Sequence, residues 1–267
     1  MCCFTQPVKL VSDTEIFARG VNGDQFLVYS MAYAAVADLA MVLPLPVPPN
    51  PAEDAVRFIN LERYPEFFHH LHRGFPVPQL SWRSRDTLPA GAARPALKVH
   101  DVGDFEASFV PRLDDFDRLD ERFRIPRHVW DRLPAYRDYG FAVFKLKASS
   151  RPPGLLRRLF GAAPAGPRQV HPMAFTFPRR NSDLLYFPTV HIHDRAAHPA
   201  ADFDHTLYCQ ADPAAEEYVG DWERSYDRAA AFVDIDRAQG IVAPDRHCWR
   251  RPLVGRLRNQ DTLIGKA

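Results

Sequence analysis

The sequence predicts an α+β fold: mainly antiparallel mixed sheet packed with several short helices, in a single domain over residues 1–267. Three observations carry this expectation. Short runs rich in Val, Ile, Phe and Tyr recur along the chain, with hairpin-type turns between some of them. Other segments place apolar residues at helical spacing behind capping or proline signals. The two kinds of segment mix without a regular β-α-β rhythm, which argues against a doubly wound parallel sheet.

Each element has its own justification. Residues 15–19 and 25–33 are expected as paired strands, with Asn22-Gly23-Asp24 as the turn between them. Residues 39–47 form a third apolar segment, whose closing prolines suit an edge or an extended exit. A helix start follows, in which Asn50 can cap, Pro51 fits the first helical position and Glu53 stands three residues after the cap. Its buried face would hold Ala55, Phe58, Ile59 and Leu61. A second short helix is expected from Pro65 to near Gly74, and residues 76–96 read as a loop. Residues 97–102 and 105–110 read as strands around Gly103-Asp104. Leu113, Phe116, Leu119 and Phe123 recur at helical spacing, and Pro126 opens another short helix with Val129, Trp130 and Leu133. Residues 140–147, 170–177, 184–193 and 203–210 read as strands. A longer helix is expected over 214–233, with Tyr218, Trp222, Tyr226 and Ala229 on one face. The tail offers Trp249, Leu253 and Val254 to the core.

Composition bounds the function. Hydrophobic residues make up 46% of the chain, with 19 Phe and 9 Tyr to fill a core. The net charge of +1 supplies no field that would draw in nucleic acid, and none is expected as a partner. No stretch approaches the roughly 18 apolar residues that span a bilayer, and the N-terminus lacks the pattern of a secretory signal. Cys2, Cys3, Cys209 and Cys248 have no zinc-finger spacing and fit free thiols in a reducing, cytoplasmic setting. Residues 148–168 form a basic, proline-rich insertion between strands, and 151–160 could touch an acidic surface or a partner.

Several segments resemble an uncharacterised bacterial family, domain of unknown function 2330. The likeness rests on Cys2-Cys3-Phe4, Ile16-Phe17-Ala18, residues 26–32 and residues 38–49. It continues through Val102-Gly103-Asp104-Phe105-Glu106-Ala107, residues 139–146, residues 171–177 and Leu185-Tyr186-Phe187-Pro188, covering roughly the first two thirds in patches. The resemblance implies an α+β domain and no transferable catalytic residues. Members of that family often look exported, and that location does not carry over to a chain without a signal peptide.

Three polar constellations could carry chemistry. His191 and His193 stand two apart, so on a strand both project to one face, and imidazoles ligate transition metals such as zinc. Pairing that strand with 203–209 in one register sets His191 opposite His205. The register favoured by hydrophobic alternation sets His193 opposite Asp204 instead. The bland alternative is a solvated sheet face, since His-x-His alone is a weak metal signal. The second constellation is Cys2, which after loss of Met1 would carry both a thiol and a free amine, the pair an N-terminal-nucleophile amide hydrolase needs. Arg19 would stand near that nucleophile, as in the bile-salt hydrolase and penicillin V acylase group, which residues 16–19 faintly resemble. Gly20-Val21-Asn22 departs from that group's pattern, and the bland alternative is a buried first strand. The third, His69, His70 and His72, reads as a polar outer face near a helix C-terminus, where protonated His is favoured. The sequence leaves open whether the protein is an enzyme. A ligand- or metal-binding domain is the first expectation, with the Cys2 hydrolase and a protein-interaction domain as alternatives.

Overall fold

The computed structural model describes residues 2–5, 8, 10–35, 38–75, 100–101, 105–125, 127–146, 168–192, 196 and 198–266. In chain order the first strands are β1 (Cys2–Phe4), β2 (Leu10–Val21), β3 (Asp24–Ala34), β4 (Leu39–Leu45), β5 (Arg57–Asn60), β6 (His100–Asp101), β7 (Glu106–Val110) and β8 (Gly140–Leu146). The rest adds β9 (Arg168–Gln169), β10 (Met173–Pro178), β11 (Leu184–Phe187), β12 (His191–Ile192), β13 (Ala200–Gln210), β14 (Glu223–Arg224), β15 (Trp249–Arg258) and β16 (Thr262–Gly265). The α-helices among the described residues are short: α1 (Phe67–Arg73) and α2 (Arg127–Trp130). The α+β expectation is therefore corrected. Among the described residues this is a β-rich protein of three sheets.

A six-stranded sheet runs β12-β1-β4-β8-β7-β6, and a larger one runs β14-β15-β13-β2-β3-β10-β5 with β9 also on β3. Among the described residues pairing is antiparallel except for β1 with β12 and β2 with β13, which are parallel. The two sheets lie face to face. Their shared core joins Met41, Leu43 and Phe144 of the smaller sheet to Ile16, Leu27 and Phe175 of the larger. The Phe144 ring stands 5.7 Å from Phe58 and 5.8 Å from Phe175, across the gap between sheets. A third sheet, β11 with β16, adds Leu185, Tyr186, Phe187 and Ile264 to the same core.

Both sheets are covered on their outer faces as well. Phe17, Val28 and Tyr208 on the outside of the larger sheet pack under α1 and residues 229–248. Val42, Phe141 and Val143 on the outside of the smaller sheet pack under α2 and 3₁₀ turns of residues 113–136. Strands covered on two faces need apolar residues at every position, which is why β4 is buried throughout and shows no alternation. β4 also sits inside its sheet despite Pro44. β1 reaches only as far as Val42 opposite Cys3, so Pro44 has β8 on one side and no ladder to donate to on the other.

The expected short helices appear as α1 and α2, and the other helical expectations fail for identifiable reasons. Leu113, Phe116 and Leu119 are spaced by three, a period that suits the 3₁₀ turn found at Leu113–Arg118. The expected helix at 51–61 yields to β5, because β10 offers a free edge that pairs with residues 57–60. The expected helix at 214–233 breaks at Gly220: Pro213–Val219 is a 3₁₀ turn, and Glu223 and Arg224 pair with β15. Its stripe does not survive either, with Trp222 buried and Tyr226 73% exposed. α1 does form where expected, but Gly74 ends it with a φ of −70°, not a positive one. That glycine is needed because a Cβ there would meet the Phe232 ring at 2.5 Å. Val254, expected in the core, is 69% exposed. The expected single strand over 184–193 is two strands in different sheets, β11 and β12, parted at Pro188. The basic insertion at 148–168 lies almost wholly outside the described residues, as does the expected loop at 76–96.

Candidate functional site

His191 and His205 meet, though not by the route expected. β12 belongs to the six-stranded sheet and β13 to the eight-stranded one, so the two are not paired and neither predicted register applies. The imidazoles approach each other across the gap between the sheets. Their Nε2 atoms stand 2.8 Å apart, a hydrogen-bond distance at which one ring donates and the other accepts. The ring centroids are 4.7 Å apart. Phe203 completes the cluster, 4.5 Å from the His191 ring and 5.1 Å, edge-on, from that of His205.

Alternation along β13 explains the placement. Phe203, His205 and Leu207 turn inward, while Asp202 and Asp204 turn outward and are exposed. His205 is 2% exposed, held between Thr14 of β2 and Leu253 of β15. His191 is half-buried and gives the pair its access to solvent.

Residues of the β15–β16 connection position the His191 backbone. Asn259 accepts from the His191 N–H through Oδ1 at 2.7 Å and donates back to the His191 carbonyl through Nδ2 at 2.9 Å. Two residues on, the Asp261 carboxylate accepts from the N–H groups of Thr189 and Val190 at 2.9 and 3.1 Å. Its other oxygen accepts from the Tyr136 and Tyr186 hydroxyls at 2.6 and 2.9 Å. Sequence reasoning missed both residues. The available signal was the polar run Asn259-Gln260-Asp261 between two strands, which reads as an ordinary turn.

The other expected site residues scatter. Asp204 lies on the opposite face of β13 from His205, where it accepts from the Asp13 N–H at 3.0 Å. His193 lies outside the described residues. Among the described residues, no three His, Cys, Asp or Glu side chains converge as a metal would require. The Cys2 backbone pairs with His191 in the six-stranded sheet. Arg19 shares the outer face of the larger sheet with Phe17, directed away from that strand. Its guanidinium donates to the Gly240 and Ile241 carbonyls and lies 5.1 Å over the Phe26 ring. The Cys2 and Arg19 backbones thus belong to different sheets.

The α1 histidines also differ from expectation. His70 Nδ1 is 2.9 Å from the Tyr64 hydroxyl, and His72 Nδ1 is 3.1 Å from that of Tyr208. Burial lowers the pKa of both, with Arg73 adding to the effect at His70 and Arg250 at His72. Protonation is disfavoured there, against what the helix terminus alone would give. Burial pushes the Cys248 thiol up to about 12 and raises that of Cys209 as well, so neither is a nucleophile at neutral pH.

No protein-family model matches the chain, and no curated protein is significantly similar to it. Among solved structures, the crystal structure of baculovirus P35 is similar, with a TM-score of 0.45 and 14% identity over 97% of each chain. None of the helices among the described residues is long and apolar enough to cross a membrane.

Proposed function

We propose that the protein is a binding domain whose handle is the His191–His205 pair, taking a transition-metal ion such as zinc or a small polar ligand. The observation that carries this reading is the approach of two Nε2 atoms to 2.8 Å from separate sheets, beside one aromatic ring. Two imidazole nitrogens on one tetrahedral ion stand about 3.3 Å apart, so an opening of roughly 0.5 Å would admit one. Solvent or a ligand group would complete the coordination shell. The likeness to domain of unknown function 2330 adds no chemistry to this reading. The Cys2 hydrolase alternative lacks the Arg19 support it needs, since that guanidinium is committed to Gly240 and Ile241. A reducing, cytoplasmic setting is part of the proposal, in keeping with unbridged thiols at Cys209 and Cys248.

The test is elemental analysis of purified, untagged protein beside the His191→Ala/His205→Ala variant, before and after adding zinc, copper, nickel and iron. Near-stoichiometric metal in the parent, absent from a variant with an unchanged circular dichroism spectrum, is the expected result. A parent that takes up none of the four ions sinks the metal reading.

A further inference from the structure

The layer over the outer face of the larger sheet is held by two histidine–tyrosine contacts that require neutral imidazoles. α1 and residues 229–248 share that face, packed on Phe17 and Tyr208. Tyr64, just ahead of α1, is buried, and its hydroxyl oxygen accepts from the Asp234 N–H at 2.9 Å. The hydroxyl proton then needs an acceptor of its own. Among the described residues the acceptor in reach is His70 Nδ1, at 2.9 Å. The bond therefore runs from Tyr64 to His70, which leaves the imidazole proton on Nε2. Two residues on, His72 Nδ1 meets the Tyr208 hydroxyl at 3.1 Å, with the Arg250 guanidinium beside the same hydroxyl. Burial keeps both phenols above their ordinary pKa, so they remain donors.

A proton added at His70 Nδ1 turns that acceptor into a second donor. Either the contact breaks, or the buried Tyr64 hydroxyl gives up the acceptor of its own proton, and both cost free energy. The surroundings offer the new charge no partner. His69, Arg73 and Arg237 stand around His70, and the acid among them, Glu66, is bound to Arg237 at 3.0 Å. Asp234, which faces Tyr64, accepts from the Arg237 N–H at 3.1 Å. Around His72 stand Arg250 and His69, and the acid there, Glu223, is bound to Arg250 at 2.5 Å. Glu15 faces Tyr208 from β2 and is itself held protonated by burial through mildly acidic pH.

Burial and the neighbouring cations lower the pKa of both histidines below the ordinary 6.5. An opened layer, with its imidazoles in water, thus binds protons more readily than a closed one. The stabilisation from these contacts is complete above about 6.5 and is lost as pH falls through the lowered values.

We propose that α1 is an acid-released cover: protonation of His70 and His72 undoes both tyrosine contacts and lets α1 lift from the sheet, baring the apolar layer around Phe17 and Phe67. Phe67, Phe68 and Leu71 still anchor the helix, so the device acts by more frequent opening rather than by a new resting state. It lies on the opposite face of the larger sheet from His205 and does not depend on the histidine pair proposed above.

The test is amide exchange of the full chain by NMR at about pH 7.5 and about pH 5, expressed as protection factors so that the intrinsic pH dependence of exchange drops out. Asp234, Gly74 and Phe75 report the cover, and Val28 and Leu207 report the sheet beneath it. Protection of the cover is expected to fall about tenfold or more on acidification, the equivalent of one pKa unit shared between two imidazoles, while the sheet changes less. In His70→Asn/His72→Asn, Oδ1 stands in for Nδ1 as an acceptor and nothing titrates. That variant is expected to keep the parent's protection at the higher pH and to lose the acid response, each single variant losing part of it. Tyr64→Phe is expected to speed exchange at Gly74 and Phe75 already at the higher pH. A cover whose protection is the same at both pH values, or an acid response that survives in the double asparagine variant, would overturn the proposal.

Discussion

The residue with the most structural consequence per atom is Asp261. One carboxylate holds four donors: the Tyr136 and Tyr186 hydroxyls and the N–H groups of Thr189 and Val190. Both tyrosines are buried, and burial beside this carboxylate raises their pKa, so they stay neutral donors. Removing the acceptor strands buried donors, each worth about 1–3 kcal/mol when left unmade. Asp261→Ala is therefore expected to lower stability by about 3–5 kcal/mol, read as a drop in the urea midpoint, with Asp261→Asn losing less. A loss under about 1 kcal/mol for the alanine variant would mean that water replaces the carboxylate. At this scale the candidate site was half legible. His191 and His205 stand out in the sequence as imidazoles on strand-like segments. Their meeting does not, because it depends on how two sheets face each other rather than on register within one. Asn259 and Asp261 were illegible for a related reason: a turn residue gives no sign of which distant backbone it will hold.

Among the elements, β15 has an uncovered edge. β14 pairs only with its first two residues, and no other described strand flanks residues 251–258. Pro252 sits in this stretch opposite Thr206 and has no N–H, so its backbone faces outward rather than into the β13 ladder. Alternation then turns Val254 and Arg256 outward with it, while Leu253, Gly255 and Leu257 face β13. Amide exchange measured by NMR should show fast exchange at Val254 and Arg256 and protection at Leu253, Gly255 and Leu257. Equal protection of all five would mean that a second strand covers this edge in solution. Proline, arginine and a glycine with φ of +89° are the features by which proteins keep such an edge from templating aggregation. Strand existence was legible from β propensity at β2, β3, β8, β10 and β13, and the Asn22-Gly23 turn appears as expected, with both residues at positive φ. Helix existence was overestimated. Apolar residues three or four apart mark a helix only if nothing else uses that spacing, and here 3₁₀ turns and a free sheet edge did.

For the molecule as a whole, the packing order makes one strand decisive. β2 joins β3 to β13, linking residue 16 to residue 207 in the middle of the larger sheet. A change in β2 is therefore felt by the sandwich core and by the layer outside it. Glu15 lies in that strand, between Ser30 and Thr206. Burial, with Asp13 adding like charge, raises its carboxyl from an ordinary 4.5 to about 8. Between these two values the folded chain keeps a proton that the unfolded chain has released. Stability from this group is thus fully present below about 4.5, declines as pH rises, and is lost above about 8. One such proton corresponds to a slope of up to about 1.4 kcal/mol per pH unit. Glu15→Gln carries no titrating group and keeps the hydrogen-bonding shape. Its stability should exceed the parent's at pH 8.5 and match it within error near pH 4.5, the gap widening steadily between (~1.4 kcal/mol per unit at most). Other ionisable groups act alike in both proteins and cancel in the difference. Urea unfolding of the two side by side across this range decides the matter, and parallel pH profiles would mean that Glu15 is solvated and charged in the native state.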